Sequence, residues 1–219
     1  MPMNSSPDNL QILVVGGHSR SVGKTSLVTD IIRAFPEAGW TAIKVTQYGH
    51  GVCSVNGESC SCAPAEHAFA LDEDRDPASG TDTARFLAAG AFRSLWLRAK
   101  QGRLAEALPL LCQAFAPGGN IIIESNSVLL FVRPVLFLMA LDPRIPDFKP
   151  SANSALNHAD AFILRSPISH PAWQDVSPFW FPRRPQFSQP LGAPLPPDLV
   201  EFVRTRFFSS PSSHSSISS

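Results

Sequence analysis

Residues 14–26 constrain this chain more than any other stretch. They read Val14-Val15-Gly16-Gly17-His18-Ser19-Arg20-Ser21-Val22-Gly23-Lys24-Thr25-Ser26. An apolar run leads into small and polar residues, then into Gly-Lys-Thr. The segment that follows repeats Leu27, Ile31, Ile32 and Phe35 at helical spacing and stops before Pro36. A polyphosphate anion needs this context. Small residues let successive backbone N–H groups turn inward around an anion. The helix N-terminus adds its dipole. Lys24 is placed to reach β- and γ-phosphates, and the Thr25 hydroxyl to ligate Mg²⁺. The expected phosphate-binding set is therefore Gly17, Ser21, Val22, Gly23, Lys24, Thr25 and Ser26. Five residues separate Gly17 from Gly23, where the common loop has four. Arg20 has two readings, a phosphate contact or a solvated loop side chain.

The rest of the first half alternates in the way a parallel α/β sheet requires. Apolar runs without polar alternation predict buried strands over 11–15, 41–45, 94–98, 121–124, 135–141 and 161–164. Helical patterns fall at 24–35, 81–91, 104–115, 151–158 and 198–208. Thr81-Asp82-Thr83 supplies a cap signal, and Pro109 is an awkward interior residue. Seven of the 21 prolines precede Pro134 and fourteen lie from it onward, so the later part is expected to be loop-rich. The expectation is one α/β domain over residues 10–208, a doubly wound, mostly parallel sheet of the P-loop NTPase type. Residues 1–9 and the Ser-rich tail 209–219 are expected to be disordered.

Charged residues then gain meaning from their place at strand ends. Lys44 closes the second strand at the sheet's carboxyl edge, where doubly wound sheets bind ligands. It reads as a ligand for the γ-phosphate or an anionic substrate, or as a lysine snorkelling from a strand end. Asp82 reads as a helix cap or as part of a metal shell. Arg85, one turn later, pairs with an anion or is solvated. Glu124 follows Ile121-Ile122-Ile123, and a carboxylate after an apolar strand is costly without a partner. It is expected to hold Mg²⁺ or polarise a nucleophile. The catalytic set is thus Lys24, Lys44 and Glu124, with Thr25, Asp82 and Glu124 around Mg²⁺.

Three blocks carry a family resemblance. The first is the loop and its helix. The second is Ala42-Ile43-Lys44-Val45-Thr46-Gln47-Tyr48-Gly49-His50. The third is Gly80-Thr81-Asp82-Thr83-Ala84-Arg85-Phe86-Leu87-Ala88-Ala89-Gly90-Ala91, and Ile121–Ser125 adds a strand ending in Glu. In order and spacing they resemble the molybdopterin-guanine dinucleotide biosynthesis adaptor protein family. The arrangement is also similar to dethiobiotin synthetase and its relatives, which share the longer loop. The resemblance covers roughly residues 10–125. Ser125 stands where the family tends to have Gly, and the chain beyond Asn126 does not match closely. The resemblance implies a nucleotide-dependent role in cofactor biosynthesis, a partner protein of that process, a homodimer, and a slight tilt from ATP towards GTP.

Asp142–Ser151, after the strand at 135–141, is the expected base-reading loop, with Asp147 and Lys149 as contacts. It lacks the Asn-Lys-x-Asp signature, so ATP and GTP stay open. A solvated proline-rich loop is the bland alternative. Between the second strand and the Asp82 helix lie Cys53, Cys60, Cys62 and His67, within fifteen positions. In kind they match a Cys₃His zinc set. An iron–sulfur cluster, reactive thiols and ordinary loop residues are the other readings. A metal here would make the chain a metallochaperone or maturation NTPase. Cys112, on an apolar helical face, is expected to be a core residue.

Composition closes off several classes. Eighteen Lys+Arg balance eighteen Asp+Glu, which argues against a nucleic-acid surface held by bulk charge. No apolar run approaches the ~20 residues of a membrane span. The first ten residues show no basic and apolar signal pattern, so a reducing cytoplasm is expected. Only 16% of residues are charged, which is compatible with self-association.

Overall fold

Apolar runs that lack polar alternation can only be stable with both faces covered, and that is how they are used. The computed structural model describes residues 10–48, 69–115, 119–168, 171–173, 176, 181 and 183–209. The six expected strands are β1 (Gln11–Gly17), β2 (Thr41–Tyr48), β4 (Arg93–Lys100), β5 (Asn120–Glu124), β6 (Leu136–Leu141) and β7 (Ala161–Leu164). Two unexpected strands complete the sheet. β3 (Phe69–Asp74) is an antiparallel edge strand on β4, and β8 (Gln186–Ser188) is a three-residue parallel edge on β7. The order is β3-β4-β2-β5-β1-β6-β7-β8, and every other pairing is parallel.

Alternate residues of each strand feed two cores. Leu13, Val15, Ala42, Ile122 and Leu138 face one layer, built on α1 (Lys24–Ala34), α2 (Asp82–Ala88) and α5 (Pro197–Val203). Val14, Ile43, Ile123, Phe137 and Met139 face the other, under α3 (Leu104–Gln113) and α4 (Pro150–Ala155). This is a doubly wound α/β fold. On α1, Leu27, Val28, Ile31, Ile32 and Phe35 are wholly buried, each worth about 1.5–3 kcal/mol relative to exposure. Trp40 closes that layer, its Nε1 donating to the Phe35 carbonyl at 3.1 Å. The 3.6-residue stripe seen in the sequence is therefore what pins α1, and with it the loop ahead of α1, to the sheet.

Several expectations need correction. The helix expected over 81–91 ends at Ala88, because the chain turns through Gly90 at positive φ. The last helix passes from α5 into a wide turn over Arg204–Phe208. Pro109 is accommodated inside α3. Cys112 is exposed on α3, not in the core, since the buried stripe of that helix is Leu104, Ala107 and Leu111. Residues 1–9, the tail beyond Ser209, and Cys53, Cys60, Cys62 and His67 lie outside the described residues.

Candidate functional site

The order of the sheet brings one set of strand ends together. β1 lies between β5 and β6, the point where successive connections diverge, and ligands of such sheets gather at that crevice. The loop of residues 18–23 leaves β1 there and enters α1. Gly23 takes φ 84° at the N-cap, a left-handed conformation that suits glycine, and Ser21 takes φ 56°. Gly16 and Gly17 are demanded by close approach. A Cβ on Gly16 would lie 2.4 Å from Asn126 Oδ1, and one on Gly17 would lie 2.6 Å from the Val22 side chain.

The loop is braced on three sides by residues outside it. Asn126, just past β5, accepts from Gly17 N–H at 2.9 Å and donates to Gly17 C=O at 2.8 Å. His18 is fully buried against Phe148 and Trp173. Its Nε2 accepts from Asp142 N–H at 3.0 Å, so Nδ1 carries the proton and donates to the Asp147 carbonyl at 2.8 Å. Burial, the largest influence, lowers the His18 pKa and favours that neutral form. Ser19 donates to Asp147 Oδ2 at 2.8 Å. On the third side Arg165, at the end of β7, donates to the carbonyls of Val22 at 3.1 Å and Gly23 at 2.7 Å.

Lys24 folds over this loop, its ammonium donating to the Ser19 carbonyl at 2.5 Å. Burial pulls its pKa down to about 8 against the opposing attraction of Glu124. Beyond it runs a continuous polar chain. Thr25 Oγ1 donates to Glu124 Oε2 at 2.8 Å. Lys44 lies 3.9 Å from Glu124 Oε1 and forms an ion pair with Asp82. Arg85 reaches Asp82 at 3.4 Å and Ser26 Oγ at 3.3 Å. Burial would raise the Asp82 pKa, but the hydrogen bond and charge of Lys44 outweigh it and leave it lowered. Thr81, not Asp82, caps α2 by accepting from Ala84 N–H at 2.9 Å, which frees Asp82 for Lys44.

The expected catalytic and magnesium residues Lys24, Thr25, Lys44, Asp82 and Glu124 therefore do converge. Thr25, Glu124 and Asp82 offer oxygen donors only, the kind a hard divalent cation takes, so the set fits Mg²⁺. Among the described residues no three His, Cys, Asp or Glu side chains form a metal cluster. The residues expected to contact the base have partners of their own. The Asp147 carboxylate accepts from Ser19 Oγ, which ties it to the loop between β1 and α1. Lys149 stands near Arg20, half-buried, its pKa lowered first by burial and then by that guanidinium.

Asn126, His18 and Arg165 were not singled out from the sequence. Arg165 had a legible signal, since it follows the apolar strand Ala161–Leu164 as Glu124 follows Ile121–Ile123. His18 and Asn126 act through backbone partners more than 100 residues away, and nothing local announces that.

Fold and loop together define the class: a doubly wound α/β protein of the P-loop NTPase type. Solved structures with a similar arrangement include a MobB protein homolog from Bacillus stearothermophilus, at 18% identity and a TM-score of 0.35 over 81% of this chain and 86% of that one. LpxK from Aquifex aeolicus in complex with ATP aligns at 13% identity and a TM-score of 0.44 over 86% of this chain and 56% of that one. A zinc-bound triple mutant of YjiA GTPase aligns at 13% identity and a TM-score of 0.37 over 88% of this chain and 61% of that one. With identities and TM-scores this low, the class rests on this chain's own sheet order and loop. No family model and no curated protein matches the chain. Among the described residues no helix is long and apolar enough to cross a membrane.

Proposed function

We propose that this chain binds a nucleoside triphosphate, ATP or GTP, together with Mg²⁺, and hydrolyses it or spends it in a step of cofactor biosynthesis. One observation carries the reading. The chain Thr25–Glu124–Lys44–Asp82 stands beside a glycine-cornered loop whose lysine is poorly solvated, its pKa pulled down to about 8 by burial. Bound phosphates give the Lys24 ammonium stronger acceptors than the Ser19 carbonyl it now uses. Backbone N–H groups of the loop would take the β-phosphate. Thr25, Glu124 and Asp82 would hold Mg²⁺, which would supply neutralisation of charge developing on the phosphates. Lys44 pairs with Asp82 and stands 3.9 Å from Glu124 Oε1, so its charge offsets both carboxylates. Glu124 would orient a nucleophile, which in-line phosphoryl transfer needs more than it needs covalent help. The role in cofactor biosynthesis, with a homodimer and a partner protein, follows from the sequence resemblance described above.

Calorimetry with ATP and GTP tests the reading. Lys24→Ala should lose most triphosphate affinity, about 2–5 kcal/mol for truncating one partner of a buried charged contact. Glu124→Gln should retain binding and slow Mg²⁺-dependent phosphate release. Equal binding by wild type and Lys24→Ala would overturn the nucleotide site. Nucleotide binding without phosphate release would make the chain a nucleotide-binding adaptor.

A further inference from the structure

Arg165 is 3% exposed, and its guanidinium meets only neutral partners. Nε donates to the Val22 carbonyl at 3.1 Å and Nη2 to the Gly23 carbonyl at 2.7 Å. Nη1 donates to the backbone oxygen of Gln189 at 3.0 Å and to its Oε1 at 2.8 Å. The carboxylates that influence it stand back. Asp30 accepts from Gln189 Nε2 at 2.9 Å, on the far side of that side chain. Asp142 is taken by Arg144 at 2.8 Å and Ser166 at 3.0 Å. Among the described residues no carboxylate pairs directly with Arg165.

A guanidinium stays charged in a protein, and a buried cation without countercharge is unfavourable. The geometry of its two loop partners suggests what restores the balance. In a trans peptide the N–H points opposite the C=O. With the Val22 and Gly23 carbonyls directed at Arg165, and the Gly23 carbonyl also accepting from Leu27 N–H at 3.0 Å, the N–H groups of Gly23 and Lys24 point away from Arg165. Charge-assisted hydrogen bonds to those carbonyls also polarise the same peptides and strengthen their N–H groups as donors.

We propose that Arg165 is a positioning residue for phosphate: it aims the Gly23 and Lys24 amides at the bound anion, and that anion is its missing countercharge. The inference rests on the reading of the loop as a triphosphate site and adds the electrostatic half of it. The ligand-free protein carries a buried charge whose nearest carboxylates, Asp30 and Asp142, are held by other partners, and phosphate adds a countercharge.

The test uses the full chain, with MgATP, MgGTP and inorganic pyrophosphate as probes, titrated by calorimetry alongside thermal melting without ligand. Arg165→Gln should bind all probes that the wild type binds about tenfold more weakly or worse, a loss of about 1.4 kcal/mol. Arg165→Lys should recover much of that affinity, since it keeps the charge while losing the fork. A second variant leaves Arg165 in place. Asp30→Asn combined with Gln189→Glu keeps a hydrogen bond between the two side chains and the net charge and moves the carboxylate onto Nη1, while giving up the Gln189 Nε2 bond to the Ala193 carbonyl at 3.2 Å and the Asp30–Arg33 pair at 3.5 Å. That double variant should bind the probes more weakly than wild type, with melting as the check that it folds. Unchanged affinity in Arg165→Gln, equal loss in Arg165→Lys, or tighter binding by the double variant would each overturn the assignment. If Arg165→Gln does not fold, the double variant decides alone. A wild type that binds none of the probes would sink the loop reading itself, and this inference with it. A wild type that binds, with variants that bind equally well, would sink only the role of Arg165.

Discussion

Lys24 offers a measurable consequence of its burial. Its pKa lies at about 8, because desolvation outweighs the attraction of Glu124, and Lys149 and Lys44 push it further down. At pH 8 about half of the free chains therefore carry a neutral amine at position 24, and at pH 9 about nine-tenths do. A triphosphate brings several negative charges to this amine and restores the ammonium. Binding should then take up about half a proton per nucleotide at pH 8, about 0.9 at pH 9, and close to none at pH 6.8. Calorimetry in pairs of buffers with different ionisation enthalpies reads this number directly at each pH. Lys149 is also lowered by burial, and its charge is one of those pushing Lys24 down, so Lys149→Gln serves as the control: the rising profile should move to higher pH and persist. The same shift has a sign for stability. From about pH 8 to 10.5 the unfolded chain binds more protons at this site than the folded one. The ligand-free protein should gain stability from Lys24 as pH rises through that window. A proton uptake that stays flat from pH 6.8 to 9, or one that vanishes with Lys149→Gln, would refute the assignment to Lys24.

Two further outcomes concern the braces of the loop. Burial holds the His18 pKa below its ordinary 6.5, so the unfolded chain takes up the proton first as pH falls through that value. Melting temperature should decline from pH 6.5 towards 5 more steeply in wild type than in His18→Gln, and parallel slopes would contradict this. Gly16→Ala would press a Cβ to 2.4 Å from Asn126 Oδ1 and 2.7 Å from the Phe137 ring, closer than real contacts allow. Urea unfolding should show a loss of about 1–3 kcal/mol, as overpacking of this kind usually costs, and an unchanged midpoint would mean that Asn126 does not brace Gly17.

What the sequence disclosed and what it concealed divide along physical lines. Strands β1, β2, β4, β5, β6 and β7 were legible because burial on both faces leaves a continuous apolar run. β3 and β8 were not. The run Phe69-Ala70-Leu71-Asp72-Glu73-Asp74 is an exposed-edge strand with three acids, and β8 gains its place from pairing with β7 through only three residues. Within the site, Lys24, Thr25, Lys44 and Glu124 stand out in the sequence because each follows a glycine loop or sits within or at the end of an apolar strand, where a buried polar group needs a partner. The register explains why they meet. Lys44 on β2 is the direct neighbour of Glu124 on β5, and Val15 on β1 neighbours Glu124 on its other side. The helix-start acid Asp82 had two readings, cap or metal shell, and neither local pattern could choose. Thr81 takes the cap, and the residue across the sheet that claims Asp82 is Lys44. Asp147 shows the opposite limit. A carboxylate in a proline-rich loop reads as a ligand contact, yet its neighbours Phe148 and Lys149 pack and hydrogen-bond onto His18, which swings the carboxylate to Ser19. A loop's own residues can point to a phosphate ligand, but the groups that brace it come from the ends of β5, β6 and β7. Their contribution is a backbone contact or a buried charge, and only the folded sheet brings those within reach.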